Sequence, residues 1–191
     1  MTAVTSVPGT REAILRATLR VIGEQGVPGL TNRRIAAAAG VSLGSLTYHF
    51  PSQTDVLRES MLLFAREESA RLGAIAEGAS GEKPTLEAAA AMVEQVLESM
   101  TFGREDIAPL ELFIQAGRDP DLRDAAARCF EAYERLAVTV LVALQVAEPE
   151  LLAGPVVALI AGLQLRRLAT GETGKTQASV ALTMLVTGAA S

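Results

Sequence analysis

Apolar side chains recur at helical spacing from the start of the chain. Ile14, Leu15, Thr18, Val21 and Ile22 share one face of a helix that Thr10 is placed to cap. Gly26, Pro28 and Gly29 end that helix. Thr31 then stands where an N-cap belongs, ahead of the apolar run 35–39, and Gly40 follows where a helix closes. Ser42 opens a further short segment, 43–49, which Phe50 and Pro51 break. Ser52, with Asp55 three residues on, has the form of a capping box for the next helix. The first 60 residues therefore predict three short helices and the start of a long fourth.

The rest of the chain reads as helix as well. Residues 78–84 are rich in Gly, Ser and charge and form the main linker candidate. Helices are expected over 85–102, 105–116, 120–146, 149–169 and 175–188, with Asp119-Pro120 as a strong start signal. No stretch alternates in the manner of a strand and no segment repeats, so the fold class is all-α. The apolar stretches 136–144 and 151–163 fall short of the 18 or so residues a membrane span needs, the second being interrupted by Gly and Pro. They read as buried helices. The N-terminus has neither a basic start nor a long apolar run, so no secretory signal is expected and the location is expected to be cytoplasmic.

Composition narrows the classes. Of 191 residues, 49% are hydrophobic, which excludes a globally disordered chain. There are 33 Ala, seven aromatics and no Trp, which favours closely packed helices. A single Cys excludes an internal disulfide framework, a single His excludes zinc centres of two or three histidines, and no cofactor is called for. The net charge of −5 speaks against nucleic acid until it is divided along the chain. Residues 1–60 hold six Arg (11, 16, 20, 33, 34 and 58) against four acids, a surplus of +2, and the remainder carries −7. Local charge governs DNA binding, so the objection lapses. A surplus of only +2 still implies modest non-specific affinity, and specificity then rests on paired half-sites.

The informative stretch is TNRRIAAAAGVSLGSLTYHF, residues 31–50. It reads as helix, short turn, helix. Ile35, Ala36 and Ala39 line one face of the first helix, Val41 fills the turn, and Leu46 and Phe50 face back from the second. Gly40 supplies the left-handed backbone at the turn. These are the requirements of a helix-turn-helix, whose second helix enters the DNA major groove. Seven residues at 1.5 Å each span roughly 10 Å, which suits a groove about 12 Å wide. The outward residues Ser42, Leu43, Gly44, Ser45, Thr47 and Tyr48 are mostly small or hydroxylated, a pattern that a helical hairpin inside a core does not need.

The pattern I35-A36-x-x-A39-G40-V41-S42-x-G44-x-L46-x-Y48-H49-F50 closely resembles the DNA-binding domain of TetR-family transcriptional regulators, and the resemblance extends over residues 11–60. It implies that Thr31 caps the first motif helix and meets a phosphate. It places Ser42, Leu43, Gly44, Ser45 and Thr47 at base edges or the groove wall, and Tyr48 and His49 beside the backbone. His49 reads equally well as a packing residue before the turn. Two positions depart from the family: Thr47, where Tyr is frequent, and Gln53, where Lys is usual. Arg33, Arg34 and the N-terminus of the fourth helix are then left to hold phosphates.

The expected organisation is a DNA-binding domain over 1–60 and a helical effector-binding and dimerisation domain over 61–191. Apolar surface on the last two helices, interleaved with small residues, implies a homodimer, and the resemblance implies the same. A dimer presents two recognition helices to a palindromic operator. Met, aromatic and other apolar residues of the middle helices, among them Met92, Val96, Phe113 and Tyr133, are candidates for a pocket that takes a small apolar effector. The whole reads as a ligand-responsive repressor. Two alternatives come from other classes. One is a helical ligand-binding or adaptor protein with a weakened DNA grip. The other is a nucleotide-binding enzyme, since ATGETGKT at 169–176 loosely fits a phosphate loop; that motif wants a strand before it, and a helical pattern precedes it here. If position 53 lies by a phosphate, Gln53→Lys is expected to tighten DNA binding without changing base preference. The log–log salt slope should steepen by about 0.9 for each added phosphate contact, and an unchanged slope contradicts the placement.

Overall fold

The computed structural model describes residues 9–78, 85–91, 104–171 and 178–188. Its helices are α1 (Thr10–Gln25), α2 (Asn32–Ala39), α3 (Leu43–His49), α4 (Gln53–Gly78), α5 (described over 86–91), α6 (Arg104–Ala116), α7 (Pro120–Ala143), α8 (Pro149–Thr170) and α9 (Ala178–Gly188), with a 3-10 turn at Val27–Gly29. No strand occurs among the described residues, as an all-α chain requires.

Packing divides the chain into two units: residues 1–64 with 103–126, and residues 65–102 with 127–191. The domain boundary expected near residue 60 separates roles along the sequence, whereas this division follows packing and falls inside α4 and α7.

The first unit is built around α1, whose residues Ile14, Leu15, Ala17, Thr18, Val21 and Ile22 are all buried. Each large aliphatic side chain so covered contributes about 1.5–3 kcal/mol. Thr18 is tolerated there because its hydroxyl donates to the Ile14 carbonyl at 2.9 Å. α1 packs against α2, α3 and α6. From α6, Ala108, Leu112 and Ala116 are buried, spaced by four along a single stripe, with Pro109 buried beside Ala108. Met61, on the α4 segment of this unit, is likewise buried.

The caps show where local rules held. Thr31 Oγ1 accepts from the Arg34 N–H, and Ser42 Oγ accepts from the Ser45 N–H at 3.1 Å. Ser52 Oγ accepts from the Asp55 N–H at 3.0 Å and donates to the Asp55 carboxylate at 2.7 Å. Asp119 Oδ1 accepts from the Asp121 N–H at 3.1 Å, with Pro120 as the first helical residue. Thr10 departs from expectation. It is the first residue of α1, and Gly9 holds the cap position with no side-chain bond, its carbonyl accepting from Ala13 at 3.0 Å.

α7 stops at Ala143 rather than 146. Gln145 takes a left-handed backbone (φ 57°), and the Val146 N–H closes on the Leu141 carbonyl at 3.0 Å. A six-residue closure needs one left-handed residue, and here Gln supplies it instead of Gly.

In the second unit Leu141, Leu152, Ala153 and Val186 form a buried cluster with Leu86, Ala137, Val138 and Val146 against it. α8 is less buried within the chain than a core helix would be. The helix has 22 residues, long and apolar enough to cross a membrane by length and composition, and only 22% of its apolar window is buried within the chain. Leu151 and Leu165 of α8, and Val180 and Met184 of α9, are exposed.

The joint between α2 and α3 is a left-handed closure at Gly40 (φ 68°, ψ 29°), its N–H bonding the Ala37 carbonyl at 3.2 Å and the next N–H, of Val41, the Ala36 carbonyl at 3.0 Å. A β-carbon at Gly40 would meet nothing within 4 Å, so only backbone strain penalises a side chain there. Gly40→Ala is expected to lower the unfolding free energy by about 1 kcal/mol in urea titration and Gly40→Asn by less, since Asn tolerates this region. An alanine variant as stable as the parent contradicts this account of the turn.

Candidate nucleic-acid interface

Residues 31–50 form the two helices and turn that the sequence predicts. Ile35, Ala36, Leu46 and Phe50 are buried, and Ala39 and Val41 are half-buried. Ala37 and Ala38 are exposed, so of the four consecutive alanines only Ala36 and Ala39 serve the close approach of the helices.

The opposite side of α3 faces away from the core. Tyr48 is 84% exposed and Leu43 44%, two large side chains left to solvent on a helix otherwise anchored by apolar contacts. Ser42, Gly44 and Thr47 are exposed beside them, and Ser45 and His49 are half-buried. The His49 ring stands edge-on to Tyr48 at 5.3 Å and tilts toward Phe50 at 6.4 Å, so it packs between its chain neighbours.

The hydroxyls are polarised by their internal bonds. Ser42 and Thr31 accept cap bonds through oxygen, which leaves each O–H to donate outward. Thr47 does the reverse: its hydroxyl donates to the Leu43 and Gly44 carbonyls at 3.2 and 3.1 Å, leaving a lone pair and a methyl group facing out. Such a surface offers donors for phosphates or base acceptors, one acceptor for a base amino group, and apolar patches for a thymine methyl. Gly44 is not required by the protein's own packing, because a β-carbon there would have only Ser42 Oγ for a neighbour, at 3.9 Å.

The basic residues are less free than the sequence implies. Arg34 donates from Nη1 to the Gly29 carbonyl, and Arg20 donates to the Ala38 carbonyl at 2.9 Å, tying α1 to the end of α2. Gln53 donates to the Leu30 carbonyl at 3.3 Å, so α4 and α2 both hold the loop ahead of Thr31. This use of Gln53 and Arg34 carries no sequence signal, since a carbonyl acceptor leaves no residue-type signature. Arg11 pairs with Glu59 at 2.7 Å and lies over the Phe50 ring at 5.2 Å, clamping the end of α3 against α1 and α4.

Of the pocket residues expected from the sequence, Met92 and Val96 lie outside the described residues. Phe113 and Tyr133 are half-buried and belong to different packing units, Phe113 to the first and Tyr133 to the second. Burial holds the Tyr133 phenol well above its usual range, and nearby Glu68 adds to the effect. Burial likewise pushes the Cys129 thiol up to about 11, opposed by Arg128, so it stays protonated and unreactive at neutral pH. An open groove of about 500 Å³, which no sequence pattern announced, lies between α7 and α8; Glu131, Glu134 and Glu150 stand at it with Arg135 and Thr139. Among the described residues no three His, Cys, Asp or Glu side chains gather in a way that could hold a metal ion. The phosphate-loop stretch lies largely outside the described residues, and α-helix, not strand, leads into it through Thr170.

Comparison with known proteins agrees with this geometry. Residues 14–59 match the family model for bacterial regulatory proteins of the tetR family, and residues 84–188 match the tetracyclin repressor-like C-terminal domain. The HTH-type transcriptional regulator BetI of Rhizobium meliloti (strain 1021) is 31% identical over 185 residues, covering 92% of this chain and 86% of BetI. PksA of Bacillus subtilis (strain 168), also an HTH-type transcriptional regulator, is 41% identical over 66 residues, and the match spans only 32% of its length. Among solved structures, the multidrug binding protein EbrR complexed with ethidium superposes with a TM-score of 0.75 at 30% identity, covering 95% of this chain and all (100%) of that one. Its complex with malachite green gives 0.70 at 32% identity, with 94% and 99% coverage. With its helix-turn-helix and more than half of its length matched in this way, the chain belongs to the TetR family of transcriptional regulators.

Proposed function

We propose that the chain represses transcription as a homodimer that lays one α3 helix into each half of a palindromic operator and releases it when a small effector binds. Residues 1–60 do the reading and residues 61–191 take the effector and the partner copy. In the reading region Thr31 and Arg33 hold the phosphate backbone, while Arg34, offered for the same role by the sequence, is tied to the Gly29 carbonyl. Ser42, Leu43, Gly44, Ser45 and Thr47 face bases and groove wall, with Tyr48 and His49 at the flank. The observation that carries this reading is the 84% exposure of Tyr48, next to exposed Leu43, on a helix whose folding uses only its other side.

The dimer reading is supported by exposed Leu151, Leu165, Val180 and Met184 on α8 and α9, apolar surface that a second copy would cover. A soluble cytoplasmic dimer then accounts for the apolar length of α8 without a membrane. The effector is a small, largely apolar molecule. Support comes from half-buried Tyr133 in this chain and from EbrR, whose structures hold ethidium and malachite green. Binding acts by coupling: an effector that favours a dimer with mismatched reading-head spacing lowers DNA affinity by the same factor by which DNA lowers effector affinity.

Two substitutions separate a reading surface from a structural one. Tyr48→Ala should leave unfolding free energy within about 0.5 kcal/mol of the parent, because the ring is exposed. It should weaken binding to a duplex enriched from random sequence by about 1–3 kcal/mol, measured by fluorescence anisotropy. Gly44→Ala should stabilise the protein by about 0.5 kcal/mol, as Gly→Ala does within a helix, yet weaken the same binding by holding α3 off the groove. If both variants bind DNA like the parent, α3 is not the reading helix.

A further inference from the structure

Residues 1–60 contain six Arg and no Lys, and the first eight residues contain neither. The protein itself occupies nearly all of this charge. Arg11 is 2.7 Å from Glu59, Arg16 is 2.7 Å from Glu12, and Arg58 is 3.2 Å from Asp55 and 3.6 Å from Glu59. Turning any of these three toward DNA would uncover a carboxylate beside the phosphates, so little charge is neutralised by the exchange. Arg20 and Arg34 carry no carboxylate partner in these bonds, but each is tethered to a backbone carbonyl, Ala38 and Gly29 respectively. Arg33 differs. It is exposed in the first turn of α2, one residue from the Asn32 helix start and two from the Thr31 cap, and no hydrogen bond or ion pair engages it among the described residues.

We propose that Arg33 is the principal phosphate-neutralising cation of each reading head, and that this regulator holds its operator mainly through uncharged donors and apolar contacts, with an unusually shallow dependence on salt. The inference rests on the DNA-reading assignment above and adds to it how the charge is spent. Each neutralised phosphate contributes a log–log slope of about −0.9, so a dimer with one such cation per head gives about −2. Affinity then falls only about 16-fold between 50 and 200 mM salt, where binders making 6–10 phosphate contacts lose about 10³–10⁵-fold.

The test uses the full-length protein and a duplex enriched by it from a pool with a randomised core, with affinity followed by anisotropy from 50 to 300 mM KCl. The expected slope is about −2; Arg33→Ala should bring it close to zero with an unchanged melting temperature, and Arg33→Lys should restore it, since Lys keeps the charge. Arg20→Ala and Arg34→Ala should lower the melting temperature and leave the slope within about 0.5 of the parent. A parent slope steeper than about −4, or an Arg33→Ala slope equal to the parent's, overturns the inference while leaving the DNA reading standing. If no sequence is enriched over random duplex at 50 mM, the DNA reading fails and the inference with it.

Discussion

A helix of seven residues does not hold its shape in water, because its nucleation cost exceeds what so few hydrogen bonds return. α3 has seven. Everything about the N-terminal unit that bears on function follows from how this short helix is made to exist. Leu46 and Phe50 are sunk into the core at 1% and 2% exposure, Ser42 caps its start, and the Phe50 N–H closes its end on the Leu46 carbonyl at 2.8 Å. The left-handed closure at Gly40 fixes the angle at which it leaves α2. Since these contacts all fall on one side, the other side has no folding duty. What occupies it is free to be chosen for something outside the molecule.

That division explains several otherwise odd choices. Glycine at position 44 weakens a helix that is already marginal, and the protein's own packing has room for a side chain there. A tyrosine left almost wholly in water at position 48 brings no burial energy. Both make sense on a surface that meets a groove. The arginines follow the opposite logic. Arg11, Arg20 and Arg34 are spent on ties between α1, α2 and the flanking loops, holding the frame on which α3 sits. Rigidity is obtained with charges that a DNA-binding surface would otherwise present.

The helix-turn-helix was legible in the sequence because its determinants are local: cap hydroxyls at Thr31, Ser42 and Ser52, one glycine at the turn, and apolar residues at fixed spacing. Long-range pairings left no such mark. Nothing in residues 104–116 says that Ala108, Leu112 and Ala116 cover α1 rather than a helix of the C-terminal region, because an apolar stripe specifies burial and not a partner. The bonds from Arg34 to the Gly29 carbonyl and from Gln53 to the Leu30 carbonyl were hidden for a related reason, every residue having a carbonyl to offer. Thr10 shows a cap signal that failed by one position, where the helix begins a residue early, at Thr10 itself, with Gly9 as its cap. The apolar stretch of α8 was legible as surface to be covered, but composition does not say how much of that cover comes from the chain's own helices.

The central claim is that a symmetric pair of α3 helices reads two half-sites at once. Hydroxyl-radical footprinting of the full-length protein on a duplex it has selected from random sequence tests this most directly. The account predicts two protected tracts related by dyad symmetry, their centres one helical turn or a multiple of it apart, each turn being about 34–36 Å. A single protected tract, or uniform protection without register, would contradict it.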